Sequence, residues 1–235
     1  MQRRRRRIRR PIASNKATRM TPRLHRQLVQ TAKQVSPPLQ RTLVQFGRVA
    51  MPRRDRHGLP RFLARAIVGQ QLSTVAARSI WGRIEEAVRA RNSAMPRFFC
   101  AQNTRTLRGC GLSRAKVRAL IEIRQADEAG LLAPSRLRRM AHAQRAEHLQ
   151  CIWGVGQWTA DMTSMFYFGD RDVWPEGDAG VYRALELIVG RRSRKGMLKI
   201  ANAFAPYRTF LALYLWRFLD ARNETRSASS SKQPV

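Results

Sequence analysis

The chain has 235 residues, with 46 Lys and Arg against 15 Asp and Glu, for a formal net charge of +31 at pH 7. Such an excess repels itself within a fold and attracts polyanions, which ranks nucleic acid first among partners and an anionic membrane surface second. Cys100, Cys110 and Cys151 include no C-x-x-C pair, and His25, His57, His142 and His148 include no H-x-x-x-H. That excludes a disulfide framework and four-cysteine zinc or iron–sulfur sites, and argues against a metal enzyme.

In chain order, residues 1–20 ("MQRRRRRIRRPIASNKATRM") are arginine-rich, acid-free and without apolar periodicity, and read as a disordered basic arm. A solvated tail, an over-extended reading frame, non-specific phosphate contact and an organelle transit peptide all fit that composition. Residues 21–222 carry helical periodicity almost throughout. Phe62, Leu63, Ala66 and Ile67 are followed by Ala76, Ile80, Ile84 and Val88 at four-residue steps, with Gly69 as the interruption and Ser73 as an N-cap. "LSRAKVRALIEIRQADEAG" continues through Val117, Leu120 and Ile121, capped by Ser113, and "GDAGVYRALELIVG" and "PYRTFLALYLWRFLDAR" supply further helices. Residues 223–235 form a polar tail expected to be disordered. No stretch alternates with period two, so the fold class is all-α. No apolar run reaches the roughly 20 residues of a membrane span, and no secretory signal is visible, which points to a reducing, cytoplasmic compartment.

The stretch "IWGVGQWTADM" (152–162) carries the chemistry. "AQRAEHLQCIW" reads as a helix with Ala146, Leu149 and Ile152 inward, and "TADMTSMFYF" as a second with Ala160, Met162, Met165 and Phe166 inward. So short a link needs glycines, which accept positive φ and leave no Cβ to obstruct close approach. Val155 between them would tuck into the core, leaving backbone N–H groups at the second helix's start for a phosphate oxygen. Gly109-Cys110-Gly111 reads instead as a plain glycine C-cap.

The pattern L-x-x-I-x-G-V-G-x-x-T-A over residues 149–160, with "DVWPEGDAGVYRAL" some twenty residues on, resembles the helix–hairpin–helix DNA glycosylase superfamily. "ARAIVGQQLSTVAARSIWGRI" and "PYRTFLALYLWRF" extend the resemblance over roughly residues 40 to 222, toward the 3-methyladenine DNA glycosylase II branch. It implies two helical lobes with a cleft between them, in the short form without a β-rich N-terminal domain. Gly154, Val155, Gly156, Gln157 and Thr159 would then grip the strand, and Gln71 or Leu72 in "GQQLS" would fill the hole left by an everted base. An ordinary interhelical turn is the plainer reading of "GQQLS". Trp158, Trp216 and Met162 would line the base pocket, whereas Trp153, Phe166 and Tyr207 fit core packing equally well. Hairpin carbonyls in relatives also hold a monovalent cation; no organic cofactor or zinc is implied. The expected partner is double-stranded DNA with alkylated bases, bound by a monomer.

Among the carboxylates, Asp178 precedes a helical run and has two readings. As an N-cap it accepts an N–H from the next turn, worth about 1 kcal/mol. As the catalyst it would stabilise the cationic sugar that forms as the N-glycosidic bond breaks, and guide water. Asp172 is its rival, and the loop register favours Asp178. Strand-cutting members of the superfamily carry a lysine two residues after the second glycine, where this chain has Trp158, and residues 117–194 contain no lysine. The resemblance therefore implies a monofunctional enzyme. A non-enzymatic DNA-binding protein, a glycosylase for oxidised or mismatched bases and, more distantly, a membrane-surface protein stay open on these residues.

Overall fold

Side-chain caps set several helix starts. In a computed structural model that describes residues 20–51 and 57–230, with side chains as far as 225, Ser73 Oγ accepts from Ala76 N and Ser113 Oγ from Lys116 N, both at 3.2 Å. Each such cap stabilises its helix by about 1 kcal/mol. The helices are α1 (Pro22–Val35), α2 (Pro37–Phe46), α3 (Leu59–Gly69), α4 (Thr74–Ala90), α5 (Thr104–Gly109), α6 (Arg114–Glu128), α7 (Pro134–Leu137) and α8 (His142–Gln150). Then come α9 (Gln157–Met162), which runs into a π-helical turn over Thr163–Phe168, α10 (Ala179–Val189), α11 (Arg194–Asn202) and α12 (Arg208–Ser230). Among the described residues there is no β-strand, and no helix is long and apolar enough to cross a membrane. The basic arm through residue 19 and the last tail residues, 231–235, lie outside the described residues. The final helix continues to Ser230, into the stretch 223–235 whose composition suggests a disordered tail.

Two hydrophobic cores divide the molecule into lobes. One is built from the α3–α9 segment, with Leu63, Ile67, Ile84, Phe99, Leu120 and Leu149 at its centre. The other joins both ends of the chain, packing Leu28, Leu39 and Leu43 of α1 and α2 against Leu185, Phe210 and Tyr214 of α10 and α12. Tyr214 locks that arrangement: its hydroxyl donates to the Gly47 carbonyl at 2.8 Å and lies 2.7 Å from His25 Nδ1. Burial pushes Tyr214 up to about 12, so it remains a neutral donor at physiological pH.

The segment from α9 through the π-helical turn is the seam between lobes. Ala160, Tyr167 and Phe168 face the first core, and Met162 and Met165 the second. Here the structure departs from the helical-period reading: Tyr167 and Phe168 are buried, while Phe166 is only half-buried. A π turn takes one more residue per hydrogen-bonded ring than an α turn, so the inward register advances within it. Trp81, absent from the expected α4 stripe, is also buried, whereas Ala66 and Ala76 are half-exposed.

Candidate active site

The loop between α8 and α9 closes through a Val155 N–H to Ile152 carbonyl bond of 3.0 Å. Gly154 has φ +89°, and a Cβ there would stand 2.5 Å from Ala119 Cβ and 3.5 Å from Ala119 Cα on α6. Both reasons for a glycine thus apply at this position. Gly156 differs from expectation: its φ is −92°, and a Cβ would meet nothing within 4 Å. Its smallness leaves open space before the first turn of α9, whose N–H groups have no intrahelical partners. Val155 is 4% exposed and anchored in the first core.

α3 ends at Gly69, and the turn that follows puts Gln71 in left-handed backbone, φ +57°, with Leu72 39% exposed. Gln70, which sequence reasoning passed over, turns its amide to the hairpin, donating to Thr159 Oγ1 at 3.0 Å and more loosely to Gly154 O at 3.4 Å. Thr159 is consequently 1% exposed, so its side chain is not on the surface expected to grip a strand. Gln157 is exposed, but its amide donates to Asp161 Oδ1 at 2.8 Å and its Oε1 accepts from Gln150 at 3.0 Å. Beside the hairpin, Trp153 is 39% exposed and carries the Arg118 guanidinium 4.2 Å over its ring, with Arg118 Nε also 3.8 Å from Glu122 Oε1.

Asp178 is the N-cap of α10, and its carboxylate is held by three donors. Oδ1 accepts from Val181 N at 2.9 Å and Trp216 Nε1 at 3.2 Å, and Oδ2 accepts from Trp158 Nε1 at 2.8 Å. The structure therefore brings together the aspartate and both tryptophans that the sequence singles out, from α9, the loop before α10, and α12. Phe166 extends the aromatic wall, its ring 5.9 Å from that of Trp216. Met162 is 6% exposed and packs in the second core. Gly180 makes room for the carboxylate, since a Cβ at that position would lie 2.9 Å from Asp178 Oδ1.

The loop that delivers Asp178 is pinned along its length. Arg145, 3% exposed, donates to Asp170 Oδ2 at 2.9 Å and to the Leu137 and Met140 carbonyls, and stacks 4.2 Å over Phe168. Thr209 Oγ1 accepts from Val173 N at 3.0 Å and donates to Asp170 O at 2.9 Å. Asp172, the rival carboxylate, is taken up by Arg208: Nε lies 2.7 Å from Oδ1 and the terminal nitrogen 3.0 Å from Oδ2. Burial raises the Asp172 carboxyl, but hydrogen bonds from the Arg208 side chain and backbone, with the charges of Arg208 and His142, outweigh it and hold it below the ordinary value. A carboxyl lowered by folding adds stability above its unfolded value and loses it as pH falls through its folded value. Asp172→Asn is accordingly expected to destabilise the protein at pH 7 by roughly 1–2 kcal/mol, the lower range for charged hydrogen bonds because both groups are part-exposed. Thermal melts check this: the gap from the parent should narrow as pH drops below about 3.9. Equal melting temperatures at pH 7 would remove Asp172 from this role.

Among the described residues no group of three or more His, Cys, Asp or Glu is placed to hold a metal ion. The hairpin carbonyls are neutral oxygen donors of the kind a monovalent cation takes; Ile152 O accepts from Val155 N, and Gly154 O accepts the long contact from Gln70, 3.4 Å.

No family model matches the chain. The crystal structure of DNA-3-methyladenine glycosidase from Bacillus halodurans superposes with a TM-score of 0.68 at 31% identity, covering 81% of this chain and 87% of that one. That of the Schizosaccharomyces pombe 3-methyladenine DNA glycosylase in complex with abasic DNA gives 0.70 at 26% identity, over 81% and 95%. In sequence, DNA-3-methyladenine glycosylase 1 of S. pombe is 29% identical over 174 residues, 72% of this chain and 76% of that protein. With the hairpin, the aspartate loop and the helical lobes in place, this similarity shows that the chain belongs to the DNA-3-methyladenine glycosylase family.

Proposed function

We propose that the chain is a monofunctional DNA glycosylase of base excision repair, acting as a cytoplasmic monomer to hydrolyse the N-glycosidic bond of alkylated purines in double-stranded DNA. The observation that carries the reading is the carboxylate of Asp178 oriented by the indole N–H groups of Trp158 and Trp216. As the glycosidic bond breaks, positive charge develops on the sugar; a fixed carboxylate stabilises it and directs the attacking water. Asp178 Oδ2 has one indole donor, so acceptor capacity remains for that water. A purine alkylated at N3 or N7 is cationic, which weakens its glycosidic bond and strengthens stacking on an electron-rich ring. Trp158, Trp216 and Phe166 offer such rings, with Met162 packed behind them.

The phosphate backbone would meet the open space at Gly156 and the amides of Gly156 and Gln157, with a monovalent cation on the hairpin carbonyls screening the charge. Trp158 stands where a strand-cutting enzyme has its lysine. The amine of Lys116, nearby on α6, is occupied by two carbonyls, each 2.8 Å away. Water is then the nucleophile, and the abasic strand is left uncut.

The test is release of free purine from methylated duplex, compared with duplexes carrying an oxidised or a mismatched base. Release from the methylated substrate alone, with strand breaks only after alkali, is the expected result. Tight binding without release would leave a DNA-binding protein with a capping aspartate; preference for the oxidised or mismatched base would reassign the substrate.

Trp158→Phe separates stacking from positioning, because it keeps an aromatic face and deletes the N–H to Asp178. Single-turnover release should fall about tenfold, the effect of ~1.4 kcal/mol, with DNA affinity nearly unchanged. A rate equal to the parent's would mean that the indole contributes by its face alone.

A further inference from the structure

The family reading assigns a strand grip to the hairpin and a duplex-filling role to the turn after α3. It does not say how the two are kept in register. Lys116 starts the turn of α6 that carries Ala119, against which Gly154 rests. From that turn Lys116 Nζ reaches back 2.8 Å to Val68 O and 2.8 Å to Gln70 O, the carbonyls that the end of α3 leaves without helical partners. Gln70 in turn sends its side-chain amide to Thr159 Oγ1 at 3.0 Å, inside the first turn of α9. The next residue, Gln71, holds the left-handed conformation at φ +57°, and Leu72 beyond it is 39% exposed. Two loops distant in sequence are thus tied to one face of α6 and to each other.

We propose that Lys116 and Gln70 are positioning residues, which hold the Gln71–Leu72 turn at a fixed offset from the hairpin so that the turn enters the base stack as the hairpin grips the strand. The placement is costly for an amine: burial lowers the basicity of Lys116. General attraction to DNA needs no such commitment, because the chain has 46 Lys and Arg for that purpose. The carbonyls use the amine for geometry. Lys116 turns the end of α3, Gln70 sets its distance from α9, and the strained residue between anchor and tip points Leu72 outward.

The inference rests on the glycosylase reading, and its test separates the two. Lys116→Met keeps the side-chain stem and removes the donor; Gln70→Ala removes the second tie from a half-exposed site, in case the first variant fails to fold. Each is assayed on a fully paired duplex with a single 7-methylguanine and on one in which that base lies in a mismatch, already unstacked. 2-Aminopurine beside the lesion reports unstacking without any chemistry. Expected are a loss of about tenfold or more in single-turnover release on the paired duplex, a much smaller loss on the mismatched one, and a reduced 2-aminopurine response with binding retained. Partial rescue by Lys116→Arg fits the same role.

Equal losses on both substrates accompanied by a lower melting temperature would reduce these residues to fold stability and overturn the proposal. So would no loss on paired DNA, or a borohydride-trapped adduct at Lys116, which would make that amine a nucleophile. Failure of the parent protein to release base from either duplex would count against the glycosylase reading instead; the 2-aminopurine comparison would still decide this one.

Discussion

Asp178→Asn is expected to cut the single-turnover rate of base release by about a thousandfold or more, the loss of ~4 kcal/mol of transition-state stabilisation, while DNA binding persists. In the proposed mechanism, the substitution removes the charge that would face the developing sugar cation. It also disturbs the cage, because the parent needs acceptors on both sides of the carboxylate. Oδ1 serves Val181 N and Trp216, and Oδ2 serves Trp158. An amide has one oxygen, so whichever way it turns, an NH2 group confronts an indole or backbone N–H. A stability loss of roughly 1–2 kcal/mol should accompany the kinetic one. Single-turnover release, fluorescence anisotropy on the same oligonucleotide and a thermal melt separate the effects. Retention of more than a tenth of the parent rate would rule out Asp178 as the catalytic carboxylate.

The second large effect is expected at the hairpin. Gly154→Ala forces a Cβ into left-handed backbone at φ +89° and to within 2.5 Å of Ala119 Cβ, with helix backbone behind it at 3.5 Å. Relief requires the loop to lift from α6. The summed cost is about 2–5 kcal/mol, from backbone strain and overpacking, and the lifted loop should lose DNA affinity as well. Gly156→Ala is the informative partner: with φ −92° and open space at the Cβ, it should melt near the parent temperature yet bind more weakly. If both variants melted alike, the division of labour between the two glycines would be wrong.

Local physics explains why much of this was legible beforehand. Apolar spacing marked the helices because burial acts on one face, and Ser73, Ser113 and Asp178 marked helix starts because their side chains replace missing acceptors. The convergence of Asp178, Trp158 and Trp216 spans 20 and 38 residues of sequence and was reachable only through resemblance, since no periodicity links such positions. The remaining long-range polar contacts had no signal. Gln70 to Thr159 spans 89 residues, Lys116 to Val68 spans 48, and Arg208 to Asp172 spans 36. A glutamine or lysine beside a helix end looks like any surface residue until its partner is folded against it. For the same reason Thr159 looked like a contact residue and proved to be enclosed.

The wide turn at Thr163–Phe168 has a geometric consequence. A π turn absorbs its extra residue within one wider turn, so the helix continues with little net rotation and the consequence is local. Tyr167 and Phe168 enter the first core, while Phe166 stays beside Trp216 on the aromatic wall. Excising one residue there is expected to let the segment rewind regularly, leaving the helix direction nearly unchanged but trading which aromatic is enclosed and which borders the carboxylate.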